Sequence, residues 1–346
     1  MANKIIDYKP KAGGRAGQNN ASNYENLYAE KFKPLRSPAL TLKNVYKPYA
    51  VNELPMFIVE TYKFGNIEFG NWVNQLRRID FCLNTISACY DLQKVLKFNN
   101  NNLGINGQIG LAFGARGYAK AFAHYEPMSK VINLTRDRRV DKEVKDMFGN
   151  KLVEYSKDRA TYERYSAQLR KENSGYGSLA HEYGHALDYI CGEMFTKYDR
   201  PLSGGHFTLT SYNNENKAYL NFLQATLHPK MNDLQEAFIS AFESFLFTGK
   251  EKDKPSGYYR RVYNFMEIKG EYWGRYNEIW ARIFETYIAY KLSKIGIVNK
   301  VLVREGKGKY RNELKSQARN VYPTFGEMEK NYKKIDNFIN ILKNKL

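Results

Sequence analysis

Hydrophobic and polar positions follow two different periods along this chain. Over residues 69–98 the apolar side chains Trp72, Leu76, Ile79, Leu83, Ile86, Tyr90, Leu92 and Leu96 recur at helical spacing and predict helix. The period then shortens. Residues 108–113, 120–125 and 130–134 are brief apolar or alternating runs separated by glycine, proline and lysine, which predicts a small antiparallel sheet. Helical spacing returns from Leu179 to Ile190, where Ser174, Gly175, Gly177 and Ser178 turn and cap the chain ahead of it and Gly192 is the expected stop. A further helix is expected from Asn232 to Phe247, and a strongly amphipathic one over residues 277–288. Its apolar face is Ile279, Trp280, Ile283, Phe284, Tyr287 and Ile288, and Glu278, Arg282 and Glu285 form a separate polar stripe. The expected fold class is α+β, mostly helical, with the sheet preceding the Leu179 helix. Residues 1–47 read as an extended basic arm, 48–303 as one catalytic-sized domain with charged inserts at about 137–172 and 248–258, and 304–346 as a basic helical segment.

Chemistry concentrates in His181-Glu182-Tyr183-Gly184-His185. Two imidazoles four residues apart project from one face of a helix and can grip a zinc ion together. Glu182 then stands beside the open coordination position as the carboxylate that takes a proton from an activated water. Tyr183, Leu187 and Ile190 fall on the opposite side, where burial holds the metal face rigid, and the small Ala180 and Gly184 let a neighbouring element approach closely. Metzincins continue this motif with a glycine and a third histidine, but Asp188 and Cys191 occupy those positions. The third ligand must therefore come from elsewhere, and the stripe on the 277–288 helix offers Glu278 and Glu285, with Arg282 one turn from each and able to fix either carboxylate. Glu236 and Glu243 are weaker candidates. Asp188 reads either as an outer carboxylate orienting an imidazole or as a capping residue. Arg116 either binds a substrate carboxylate or pairs with an acidic neighbour, and His124 either stabilises an oxyanion or is a hydrogen-bonded strand residue. His206, in a glycine-rich loop expected to be mobile, is either a transition-state donor or a surface side chain. His228 is expected to end a helix.

A family resemblance follows from Gly110-Leu111-Ala112-Phe113-Gly114-Ala115-Arg116-Gly117, Ala123-His124-Tyr125-Glu126-Pro127, Val131-Ile132-Asn133-Leu134-Thr135-Arg136, the stretch from Gly177 to Asp188, and Ala281-Arg282-Ile283-Phe284-Glu285. This ordered string, spanning residues 64–303, resembles the large polyvalent protein-associated domain 1, a family of predicted zincin-like peptidase domains from phages and conjugative elements. The resemblance implies a zincin-like fold, a zinc cofactor, a phage or mobile-element origin and a peptidase-like role, without a named substrate. The Glu278-x-x-Ala281 pattern is similar to the glutamate helix of gluzincins, which implies Glu278 as the third ligand, with Glu285 second.

Charge adds an alternative. Lys and Arg exceed Asp and Glu by 18, and much of the excess lies near the ends, including Lys307, Lys309, Arg311, Lys315, Arg319, Lys330, Lys333, Lys334, Lys343 and Lys345. Such a balance favours anionic partners. Two readings therefore stand: a zinc metallopeptidase acting on peptide or protein substrates, and a basic virion- or nucleic-acid-associated protein that uses the same scaffold without proteolysis. Three cysteines, Cys82, Cys89 and Cys191, fit a reducing compartment, and no stretch is long and apolar enough to span a membrane. The expected location is the host cytoplasm, or a virion.

Overall fold

A computed structural model of the chain describes residues 25–26, 29–30, 32, 34–47, 49–71, 73, 75–116, 123–135, 175–196, 200–228, 230–249, 251–303 and 321–346. Most of the expected amino-terminal arm, the 137–172 insert, Trp72, Gly117 and the basic run from Lys307 to Arg319 lie outside them. The protein is mixed α/β and mostly helical, with small sheets. It divides into two compact units, one drawing on Met1–Gln93, Asn100–Leu179 and Asn299–Arg304, the other on Lys94–Asn99, Ala180–Val298 and Glu305–Leu346.

The first unit contains helix α1 (Leu54–Tyr62), most of the long helix α2 (Gln75–Leu96) and strands β1 (Ile67–Phe69), β2 (Gly110–Phe113), β3 (Ala123–Glu126) and β4 (Val131–Leu134). The expected antiparallel sheet is corrected: its order is β1-β2-β4-β3, β1 and β4 both run parallel to β2, and only β3 and β4 pair antiparallel. The burial pattern explains the difference. β2 and β4 are buried at every position, the continuous apolar pattern of inner parallel strands, whereas β3 is half-buried throughout and lies at the edge. Phe113 stacks between Phe69 of β1 and Phe81 of α2, at 5.3 and 5.0 Å between ring centroids, which fixes the helix onto the sheet.

The second unit is helical: α3 (Leu179–Phe195, from Ala180 onward), α4 (Glu215–Thr226), α5 (Asp233–Leu246), α6 (Gly257–Lys269), α7 (Tyr276–Lys294) and α8 (Phe325–Lys345). Gly192 does not stop α3. It lies inside the helix because the returning chain passes so close that a Cβ there would sit 2.1 Å from the Arg200 carbonyl oxygen. Asn232 caps α5 with its side chain on the Leu234 and Gln235 amides. The 248–258 segment is more ordered than expected, since β5 (Phe247–Thr248) and β6 (Lys254–Pro255) pair as a short antiparallel hairpin. Trp280 of α7 is the hub of the core, 4.3 Å from Phe238 of α5 and 5.8 Å from Phe338 of α8 between centroids. α7 is buried on all sides from Tyr276 to Tyr290, its polar stripe included. A charged stripe inside a core is stable only if every charge finds a partner.

Candidate metal centre

Helix α3 sets the geometry. Its His181 and His185 rings lie 4.9 Å apart on one face, while Tyr183, Leu187 and Ile190 are fully buried on the other. Gly184, between the histidines, is where α7 crosses. A Cβ at this position would lie 3.1 Å from both the Ala281 Cα and the Phe284 Cβ, closer than ordinary van der Waals contact, so only glycine admits α7 at this distance. The Trp280 indole N–H donates to the Gly184 carbonyl at 3.1 Å and locks the crossing. Glu278, one turn before Ala281, is thereby brought over the two rings.

His181 Nε2 lies 3.4 Å from Glu278 Oε2, and His185 Nε2 lies 3.4 Å from Glu278 Oε1. Both separations exceed a good hydrogen bond. Each is close to the spacing of two donors sharing a zinc ion, about 3.4 Å for bonds of about 2.1 Å, with the two histidines facing different oxygens of Glu278. One donor atom from each of His181, His185 and Glu278 lies within 4.8 Å of the other two. Two imidazoles and a carboxylate, poorly exposed and converging from two packed helices, fit zinc by donor chemistry as well as by spacing.

Glu285 takes a different position. Its Oε2 is 3.4 Å from His181 Nδ1, on the side of the ring away from Glu278. This separation too exceeds a good hydrogen bond, and His181 Nδ1 makes none, so Glu285 acts on the ring through its charge. Glu285 in turn hydrogen-bonds the buried Tyr322 hydroxyl. Tyr272, 48% exposed, stands at the rim, where burial of its hydroxyl and the charge of Glu278 raise its pKa. Glu182, 5% exposed, follows His181 directly and contributes to the negative field on it. Burial by itself pulls the His181 imidazole down, but Glu278, Glu285 and Glu182 outweigh it and hold the ring well above the usual histidine value. Burial likewise pushes Glu278 up, and the two histidines overcome it, leaving that carboxyl far below the usual range. The negative surroundings that favour a proton on His181 would equally favour a metal cation in its place.

Several sequence expectations take a different form. Arg282 fixes neither carboxylate side chain. Its guanidinium donates to the backbone carbonyls of Glu278, Trp273 and Val321 at 2.9, 2.8 and 3.5 Å, tying the first turn of α7 to the segments beside it. Asp188 is fully buried, and its carboxylate holds the Ser203 amide and hydroxyl instead of an imidazole. Burial raises its pKa to about 6. The loop carrying His206 is fastened, with the Gly205 and Phe207 carbonyls accepting the Asn277 and Tyr276 amides, and His206 itself is exposed and outside the donor cluster. Glu236 is exposed, Glu243 pairs with Lys252 at 3.3 Å, and His228 lies just past the end of α4. Arg116 and His124 belong to the first unit, where both converge on Glu126, at 2.9 and 3.0 Å, and Arg116 also grips Glu68. Of their two readings, the acidic-neighbour and strand hydrogen-bond ones describe what these side chains do. Tyr272, Tyr322 and Ser203 went unremarked in the sequence. Only Gly204-Gly205 after Ser203 hinted at a tight loop there, and both glycines have positive φ.

No curated protein and no solved structure matches the chain. One family model does, over residues 266–346. The matched segment includes α7 with Glu278, Arg282 and Glu285, then Tyr322 and α8, and it begins after the HExxH helix. The resemblance drawn over residues 64–303 therefore overlaps this match only from residue 266 onward. Residues 266–346 match the model of the large polyvalent protein-associated domain 1 family.

Proposed function

We propose that this chain is a zinc-dependent metallopeptidase of the gluzincin type, encoded by a phage or mobile element. The observation that carries the reading is the convergence of His181, His185 and Glu278, with donor atoms within 4.8 Å of one another and Glu182 next to His181 in the sequence. When bound, zinc supplies Lewis acidity, polarising a peptide carbonyl and bringing a water pKa close to neutrality. The chain's own residues supply the rest. Glu182 accepts a proton from the attacking water and passes it to the departing amine. Glu285 steadies His181 through its charge beside Nδ1, with Tyr322 steadying Glu285 in turn. Tyr272 lies beside Glu278 and steadies that carboxylate from the rim. We place the enzyme in the host cytoplasm or in a virion; its three free cysteines are buried, with thiols pushed up by that burial, and no helix among the described residues is long and apolar enough to cross a membrane.

The test compares the wild type with Glu182→Gln for zinc content and for cleavage of a broad peptide library. One zinc per chain in both, with cleavage reduced by about 10²–10⁴-fold in the variant, supports the reading. A zinc-replete wild type that cleaves nothing in the library sinks it.

A second reading, contact with an anionic polymer, is favoured by a cavity of about 440 Å³ lined by Lys252, Lys330 and Lys334 with Ser244 and Thr248, although Glu327 lines it too and Lys252 is paired with Glu243. Among the described residues neither Lys330 nor Lys334 has a carboxylate partner. Burial and the neighbouring Lys252 push the Lys334 ammonium down and outweigh Glu243, which pulls it up. Affinity for a single-stranded oligonucleotide that is unmoved by salt, or by Lys330→Glu with Lys334→Glu, would remove this second reading.

A further inference from the structure

Asp188 is a fully buried carboxylate that the proposed chemistry does not use. We infer that it is a positioning residue for Glu278, acting through the 202–207 loop and not through an imidazole. The inference rests on the metal reading above and specifies how its two ligand helices are held in register.

The connection can be followed bond by bond. Asp188 follows His185 by three residues on α3. Its Oδ1 accepts the Ser203 amide at 2.7 Å, its Oδ2 accepts the Ser203 hydroxyl at 2.6 Å, and its carbonyl accepts the Leu202 amide at 3.2 Å. The Ser203 hydroxyl oxygen accepts the Gly205 amide at 3.1 Å, closing a tight turn. Gly204, with φ 87°, packs so closely on α4 that a Cβ would lie 2.9 Å from Ala225 atoms, so the turn has little room to drift. From that turn the Gly205 carbonyl accepts the Asn277 amide at 3.0 Å, and the Phe207 carbonyl accepts the Tyr276 amide at 2.8 Å. The Asn277 side-chain oxygen then accepts the Glu278 amide at 3.0 Å.

These bonds carry unusual weight because α7 has no side-chain cap: Arg275 is at its N-cap and makes no capping hydrogen bond. The opening amides of a helix need partners from outside it. Here the loop provides them, and the loop takes its own position from Asp188. The helix that carries both histidines therefore dictates where the first turn of α7, and Glu278 within it, begins. A fully buried serine hydroxyl is the joint.

Ser203→Ala and Asp188→Asn test this in the full chain. Zinc affinity is read by chelator competition, folding by the melting temperature of the metal-free protein, and site geometry by the visible spectrum of the cobalt-loaded form. Partners that orient metal ligands at one remove are typically worth 10–100-fold in metal affinity. The expected result is zinc binding weakened by at least about 10-fold in Ser203→Ala, a smaller loss in Asp188→Asn, which keeps an acceptor for the Ser203 amide, and an altered cobalt spectrum in both. A lowered melting temperature with unchanged zinc affinity and cobalt spectrum would reduce Asp188 to a purely structural residue and overturn the inference. A wild type that binds no zinc would fail the metal reading itself, an outcome distinguishable from the first.

Discussion

Replacing Gly184 tests whether the crossing of α3 and α7 builds the metal centre. Alanine would place a Cβ 3.1 Å from the Ala281 Cα and the Phe284 Cβ and 3.3 Å from the Phe284 ring. Comfortable carbon contacts begin near 3.5–4.0 Å, so the helices must separate by about 0.5 Å. Nothing flexible is available to yield: the obstacles are the backbone and ring root of a helix buried on all sides. Valine adds methyl groups beyond the Cβ and demands a separation of roughly 1.5 Å, at an overpacking cost of about 1–3 kcal/mol. Metal ligands tolerate errors of only about 0.2 Å. Gly184→Ala should therefore weaken zinc binding about 10-fold, and Gly184→Val should abolish tight binding by detaching Glu278, even where the protein still folds. Chelator competition gives the affinity, and melting with and without a chelator separates stability from binding. Ile239→Val in α5 is the control, expected to cost about 0.5–1.5 kcal/mol without moving zinc affinity. A folded Gly184→Val protein with wild-type zinc affinity would refute the claim that this contact positions Glu278.

The remaining predictions concern the ligands and their protons. Glu278→Gln should weaken zinc binding far more than Glu285→Gln, which should cost about 10–100-fold; the reverse order would exchange their roles. On the proposed metal reading zinc would displace a proton from His181, whose pKa is raised, so zinc affinity should rise about tenfold per pH unit between pH 6 and 8; a flat profile there would mean the ring is already neutral. The sign for the metal-free protein runs the other way. A raised imidazole stabilises the fold below its ordinary value and loses that contribution only above neutrality, while the lowered Glu278 contributes above the ordinary carboxylate range, so their pairing persists across pH 6 to 8. Asp188, raised to about 6 by burial, contributes stability below its usual range near 4 that is lost as pH climbs through 6, on the order of 3 kcal/mol. Denaturant melts should show Asp188→Asn gaining on the wild type between pH 4 and 7, and a constant difference would contradict the assignment.

The pairing of His181 with His185 was legible because it combines residue chemistry with helical period, and the two histidines do share a face. Choosing between Glu278 and Glu285 was harder. They lie seven residues apart on the same stripe, so periodicity treats them alike, and only the Gly184–Ala281 contact decides which one meets both rings. Arg282 misled for a related reason: its acceptors are backbone carbonyls, which leave no trace in residue identity. Strand locations were read to within a few residues, but direction was not. A four-residue apolar run looks the same whichever way its neighbour runs, and the three-residue β1 is too short to carry a pattern. The Ser203 joint is invisible in sequence because it links residues fifteen positions apart through one hydroxyl.

Trp280 has a practical consequence for anyone studying this protein in solution. Its indole is fully buried among Phe238, Phe242, Phe284 and Phe338, and its N–H reports directly on the carbonyl between the two histidines. Once Trp72 and Trp273 are replaced, ultraviolet emission from that ring becomes an optical gauge, sensitive to any slip between the helix bearing the imidazoles and the one bearing the acid, and readable without a label.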